Sequence, residues 1–223
     1  MKRCLSLIAT AAVVPLILLY SCTPVNLYTI NMKYTPSEAA SAQVEDTESV
    51  KLVVARFIDS RSAKDKMVIG TVVSSDGGTI PVLPKYIKPV DAVTDGIREC
   101  LLAAGYSLSP DIPAWNLRSD SINKGWGTVL IGGTIDKLEV VCHKDGIKKQ
   151  YHTDVKLTIV FADIRDARLF RKLEIETNPS LVHVRFSEKI LEEQINTALS
   201  DAIEQVFGDR ETMQKILGEA AEK

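Results

Sequence analysis

An α+β fold, with a mixed or mainly antiparallel sheet and two main helices packed on one face of it, is predicted by three features of the 223-residue sequence. The element order is strand, strand, hairpin, helix, strands, helix, without the regular strand–helix alternation of a doubly wound sheet. Two stretches carry apolar residues at three- and four-residue spacing, whereas the strand candidates alternate with period two. The two longest strand candidates flank Asp145-Gly146, which reads as a tight type I′ turn. At 45% hydrophobic and 25% charged residues, the composition is that of an ordinary globular protein. The length suggests one domain, expected over residues 26–208.

Taken in order, Tyr28, Ile30, Met32 and Tyr34 alternate with Thr29, Asn31 and Lys33 as a strand with one apolar face. Residues 35–49 are small and polar and read as a loop. Val50 to Ile58 is apolar on both faces, which suits a central strand, and Asp59-Ser60-Arg61-Ser62 ends it. Val68 to Val73 and Thr79 to Leu83 form a short hairpin around Asp76-Gly77-Gly78. Pro81, Pro84 and Pro89 confine this region to edges and turns. A helix spans Pro89 to Ala104, with Val90, Val93, Ile97 and Leu101 on one face and Gly105 at its end. Tyr106 to Leu108 could re-enter the sheet, and residues 109–127 form a long loop holding Trp115 and Trp126.

The strand at 128–142 places Val129, Ile131, Gly133 and Ile135 on one face, after which the apolar phase jumps to Leu138 and Val140. Its partner keeps strict alternation from Tyr151 to Phe161. A two-residue turn sets Val140 opposite Tyr151, but continuing that register puts Asp136 opposite Val155. One extra residue restores Ile135 to Val155 and Ile131 to Ile159, so a β-bulge is predicted at about residues 136–137. Gly132-Gly133 would let a helix approach the sheet. A third strand runs from about Arg168 to Thr177, Asn178-Pro179 breaks it, and Val182, Val184 and Phe186 alternate briefly. Ser187 is a good N-cap for a helix to Phe207. Leu191, Ile195, Ala198, Leu199, Ala202, Ile203 and Val206 form its apolar stripe, with Glu192, Glu193, Asn196 and Asp201 outside. Residues 209–223 are a charged tail that could add one short helix.

The first residues do not fit a globular start. Lys2 and Arg3 precede an apolar run from Leu5 to Leu19, shorter than the ~20 residues a membrane span needs, and Pro24 follows closely. This is the pattern of a signal peptide, here residues 1–21. Leu19-Tyr20-Ser21-Cys22 resembles the lipobox of bacterial lipoproteins: Leu19, Ser21 and Cys22 match, and Tyr20 fills a slot that usually holds a smaller residue. The resemblance implies a diacylglyceryl thioether on Cys22, cleavage before it and N-acylation, so the partner is a lipid bilayer, held through the acyl chains on Cys22, with residues 22–25 as the lipidated N-terminus and short tether. Several acyl chains matter because one holds a protein only marginally. Thr23, where retention at the inner membrane is associated with Asp, implies the outer membrane, facing the periplasm. A tether of four residues spans at most ~14 Å, which keeps the domain against the membrane.

Without residues 1–21 the chain has 25 basic and 29 acidic side chains, a net charge of −4 that argues against nucleic acid as a partner. With Cys22 acylated, Cys100 and Cys142 are the one pair that could join in an oxidising compartment. Two buried free thiols are the plainer expectation. His143, His152 and His183 do not converge on a metal, and no His-Glu-x-x-His, Gly-x-Ser-x-Gly or phosphate-binding loop occurs. No catalytic, cofactor or metal site is therefore expected. Tyr86, Trp115 and Trp126 sit in loops rich in proline and glycine. They are expected either to fold back on the core or to form an interaction surface. Lys144, Lys148 and Lys149 gather at a hairpin tip that could contact anionic lipid or glycan.

Together the lipobox, the strand Val50–Phe57 with Asp59-Ser60-Arg61, Ile69-Gly70, the helix ending Gly105-Tyr106, the long hairpin and the terminal helix resemble the YajG-like family of envelope lipoproteins. The resemblance covers most of residues 22–208 and carries no catalytic residues. It implies a non-enzymatic accessory or adaptor protein of the cell envelope with a protein partner there. Two alternatives stand beside it, and the second of them is similar in strand–helix order and membrane anchoring. An auxiliary lipoprotein of an ABC-type lipid transporter would need an apolar groove between sheet and helices. A regulator of peptidoglycan synthesis would usually have a longer tether.

Overall fold

The structure, a computed structural model, describes residues 26–37, 50–208 and 210–221. Cys22 and the rest of the leader lie outside them, as does most of the predicted 35–49 loop. Among the described residues the fold is α+β: nine strands in one mixed, open sheet, with three helices.

The spine of the sheet is the antiparallel pair β6 (Val129–Lys144) and β7 (Lys149–Asp163). The register shifts between Ile135 and Lys137, where the bulge is expected. The cause is visible in burial. Val129, Ile131 and Ile135 enter the main core before the bulge, and Leu138, Val140 and Cys142 enter it after, so the extra residue switches the inward parity from odd to even. Without it, three apolar side chains would turn outward, each worth about 1.5–3 kcal/mol of burial. The hairpin loop differs from expectation. The strands close at Lys144 and Lys149 around a four-residue loop, with Gly146 at φ +54°, rather than around a two-residue turn. Ile135 therefore faces Leu157 instead of Val155. The slip is two residues, an even number, so every side chain keeps its predicted face.

Along the other edge of β6 lie three parallel segments in succession: β2 (Leu52–Val54), β3 (Ile58–Asp59) and β4 (Gly70–Ser74). The single strand expected over 50–58 is thus two short ones. β4 pairs antiparallel with β5 (Thr79–Pro84), which pairs parallel with β1 (Tyr28–Ile30). Pro81 precedes the three residues of β5 that β1 covers, consistent with a strand close to the sheet edge. On the far side of β7 stand β8 (Arg168–Thr177) and β9 (Ser180–His183), separated by Asn178-Pro179 and in one register with β7 from Thr177 onward. Leu108, expected to rejoin the sheet, makes an isolated parallel bridge to Leu52.

The helices α1 (Pro89–Ala103) and α2 (Glu188–Phe207) have the predicted apolar faces. α1 ends in a Schellman arrangement: Gly105, at φ +86°, donates to the Leu102 carbonyl, and Tyr106 donates to that of Leu101. The Ser187 hydroxyl caps α2 by accepting from the Lys189 amide at 3.1 Å. The short helix expected in the charged tail forms as α3 (Arg210–Ala221), and its Met213 and Ile216 are buried in the main core. The helices lie over one face of the sheet. Part of the other face is covered by the 113–126 region, where Trp115 packs with Val53, Leu130, Val160 and Ile164 in a second, smaller core. The glycines expected to admit a helix admit aromatic rings instead: a Cβ on Gly132 would lie 2.6 Å from the Trp115 ring, and one on Gly133 2.6 Å from Phe57.

Candidate functional site

The residues beyond β1 keep the strand alternation predicted for them, but not a strand partner. Ile30, Met32 and Tyr34 are buried in the main core, while the backbone of residues 31–37 runs along α2. Every second amide is received by a side chain one helical turn further on. Asn31 donates to Glu192 Oε2 (2.8 Å), Lys33 to Asn196 Oδ1 (3.0 Å), Thr35 to Ser200 Oγ (2.9 Å) and Ser37 to Glu204 Oε1 (2.8 Å). Four helical residues rise about 6 Å and two extended residues about 6.6 Å, so the two periods stay in step over this length. Tyr34 adds a hydrogen bond from its hydroxyl to Glu204 Oε1. Burial first, then Cys100 and Glu204, hold that hydroxyl far above its ordinary pKa, so it remains a neutral donor.

This arrangement corrects the outward placement of Asn196, which is buried, and it includes Ser200, also buried. A groove of about 430 Å³ opens beside it, lined by polar groups including Lys33, Thr35, Glu193, Thr197 and Asp201. The ladder also occupies amides that an open sheet edge would present to another chain. A row of polar residues at four-residue spacing beside the apolar stripe of α2 was the available sequence signal.

A second polar cluster surrounds the bulge. Arg61 is buried and forms a two-pronged pair with Asp59, from Nε to Oδ1 (3.0 Å) and from Nη2 to Oδ2 (2.7 Å). Nη1 donates to the carbonyls of Val68 (3.0 Å) and Leu138 (3.2 Å), and Nη2 also reaches that of Lys66. The guanidinium thereby joins β3, the 61–68 loop and β6. Burial alone would raise the Asp59 carboxyl, but hydrogen bonds and charge from Arg61, with Lys66 behind, hold it below the usual range. At the bulge, Asp136 accepts from Thr134 (2.7 Å), Thr158 (2.6 Å) and Ser60 (3.3 Å). These donors satisfy a carboxylate that has left the strand ladder. The arrangement braces an irregular strand, as buried, fully paired polar groups do.

The end of the sheet nearest the start of the described chain has a different character. Lys144 Nζ donates to the Tyr28 hydroxyl at 2.9 Å and lies 3.5 Å from the centre of the Phe186 ring. Beyond this contact, Ile147 on the hairpin loop and Val182 and Val184 after β8 are exposed, as is Leu27.

The predicted site residues are not brought together. Trp115 is only 3% exposed, so it offers no interaction surface; its indole N–H donates to the Arg118 carbonyl at 3.0 Å. Trp126 is half-buried against the same small core. Tyr86 alone of the three is well exposed, at 74%, with Lys85 over its ring. Cys100 and Cys142 are free and buried. Burial pushes the Cys100 thiol up to about 11 despite a hydrogen bond with Tyr34, and it raises that of Cys142 beside Tyr151. His143 faces Gln150, and His152, opposite Val141, lies 3.2 Å from Asp154. Among the described residues, no group of three or more His, Cys, Asp or Glu side chains is placed to hold a metal ion. No helix among them is long and apolar enough to cross a membrane.

No protein-family model and no curated protein matches the sequence. Solved structures do resemble the fold. A Xanthomonas campestris protein of the DUF330 family is similar over 86% of this chain and 99% of its own, at 11% identity and a TM-score of 0.53. A Helicobacter pylori homolog of neuraminyllactose-binding hemagglutinin is similar over 87% and 100%, at 10% identity and a TM-score of 0.48. A Neisseria meningitidis lipoprotein is similar over 68% and 96%, at 8% identity and a TM-score of 0.38. At such identities a likeness is one of fold alone, and only the first score supports even that.

Proposed function

We propose that this chain is a lipoprotein acylated at Cys22, held at the periplasmic face of the outer membrane, and serving as a non-enzymatic accessory or adaptor protein of the cell envelope. The observation that carries the reading is the closeness of the lipobox-like Leu19-Tyr20-Ser21-Cys22 to the folded domain. Tyr28, six residues after Cys22, is already in the sheet, and residues 31–37 are bound to α2. A lipid on Cys22 would thus hold the domain directly against the bilayer. The short tether favours this reading over a regulator of peptidoglycan synthesis, which would reach further. The groove beside α2 is lined by polar and charged residues and runs over the outside of that helix, and Leu191, Ile195, Leu199 and Ile203 fill the space between helix and sheet. Both observations favour an adaptor over a carrier of lipid. The resemblance to YajG-like lipoproteins agrees with this reading.

The anchor is tested in cells grown with labelled palmitate. The wild-type chain takes up label and fractionates with membranes, and Cys22→Ala does neither. Label persisting in Cys22→Ala overturns the assignment. Crosslinking from intact cells then separates the envelope roles, since recovery with a permease supports transport and recovery with a penicillin-binding protein supports cell-wall regulation.

A further inference from the structure

We propose that the end of the domain formed by the β6–β7 loop, the residues after β9 and Leu27 docks on anionic lipid headgroups of the anchoring membrane, with Ile147 entering the interface. The proposal rests on the lipid-anchor reading above.

Direction comes first. Tyr28 is in register with Val82, Val82 with Gly70, and Gly70 with Val140. β1 is parallel to β5, β5 antiparallel to β4, and β4 parallel to β6. The chain preceding Tyr28 therefore leads toward the end of β6 that carries the hairpin loop. The Lys144–Tyr28 hydrogen bond and the Tyr28–Phe186 ring contact, with centroids 4.9 Å apart, hold these pieces at one end.

Reach comes second. Six extended residues from Tyr28 back to Cys22 span at most ~20 Å. The four residues from Val140 to Lys144 advance ~13 Å in the same direction, and the loop carries Ile147 further. An acyl group on Cys22 thus lies within reach of the plane of the loop, and a bilayer there would touch it.

Surface chemistry comes third. Ile147 is 83% exposed, Val184 62%, Val182 59% and Leu27 46%. Nothing in the fold explains why a loop between lysines should carry an exposed isoleucine. Exposed Lys148 and Arg185 flank these side chains, and Asp145 is the acid of the same loop. Aliphatic side chains with neighbouring cations are what the boundary between headgroups and acyl chains accepts.

The test uses the full lipidated protein in vesicles of phosphatidylethanolamine and phosphatidylglycerol. An environment-sensitive dye is placed at Ile147→Cys or, as a control on α1, at Leu102→Cys, with Cys100 and Cys142 buried and unreactive in the folded protein. The dye at 147 is expected to be quenched by nitroxide-bearing lipid and shielded from aqueous iodide, and the dye at 102 to behave in the opposite way. Lys148→Gln and Arg185→Gln should each lower the docked population about fivefold. If Cys22 carries label but the dye at 147 meets iodide as freely as the dye at 102, the docking proposal falls and the anchor stands. If Cys22 carries no label, both fall.

Discussion

The carboxamide of Asn196 serves residues 31–33 as a neighbouring peptide group would: Oδ1 accepts from the Lys33 amide at 3.0 Å, and Nδ2 donates to the Asn31 carbonyl at 2.9 Å. One planar side chain supplies both the acceptor and the donor that a partner strand would offer. The same contact ties the beginning of the domain to its longest helix.

Replacing Asn196 with leucine leaves that donor and acceptor without partners. Each buried unsatisfied group costs ~1–3 kcal/mol, so Asn196→Leu should lower the unfolding free energy by about 2–6 kcal/mol in urea titration. Thr197→Ala, at the exposed neighbouring position, should stay within ~0.5 kcal/mol. Hydrogen exchange should show the Lys33 amide losing protection ahead of β6 and β7. An unchanged exchange rate would mean that the side-chain ladder does not hold this segment.

Asp59→Asn removes the charge opposite buried Arg61, and breaking a buried pair on one side costs about 3–5 kcal/mol. The pH dependence has a definite sign. The folded pKa of Asp59 is lowered, so the unfolded chain binds the proton more readily. The stabilisation is complete above the ordinary carboxylate value of ~3.9 and is lost as pH falls through the lowered folded value. Wild type should therefore lose part of its thermal stability below about pH 4, and the difference from Asp59→Asn should narrow there. A gap that stays constant into acid would refute this account.

Gly132→Ala should act on the small core, because its Cβ would stand 2.6 Å from Cε3 of Trp115. The ring must move, at a cost of about 1–3 kcal/mol, and tryptophan emission should shift to the red as the indole gains water. Gly133→Ala should cost more, since its Cβ would run into the Thr158 carbonyl oxygen, and backbone cannot rotate away.

Met213→Ala should destabilise the domain by about 2–5 kcal/mol, as for other large buried side chains cut to alanine. A change confined to a few tenths of a kcal/mol would show that α3 lies on the domain without belonging to its core.

Much of the fold is legible in the sequence because it depends on period and parity. The jump from Ile135 to Leu138 in β6 can only be reconciled with the steady alternation of β7 by an extra residue, so the bulge can be located without coordinates. Pro89 and Gly105 bound α1, and Ser187 opens α2, through backbone preferences that act within a few residues. The exact hairpin register is less accessible. Asp145-Gly146 suits a two-residue turn, but a four-residue loop preserves the same alternation, and alternation cannot separate registers that differ by two.

The candidate site was less legible. Asn196 looks like an outward-facing polar position because helical periodicity sorts residues by polarity, and a polar side chain facing a buried backbone counts as polar. Trp115 could be read as core or as surface, because its burial depends on Leu130 and Val160 presenting a second apolar face to it.

The sequence by itself determined the element types, the bulge, the apolar faces of α1 and α2, and the lipobox-like tetrapeptide before the domain. All are local patterns, enforced by sterics and side-chain spacing over a few residues. Only the tertiary structure decided that residues 31–37 pair with a helix, that Arg61 ties three segments together, that α3 joins the core, and that Leu27, Ile147 and Val184 share one end of the sheet. These relationships bring together residues far apart in the chain. Their energy comes from desolvation and pairing across the fold, which no local periodicity encodes.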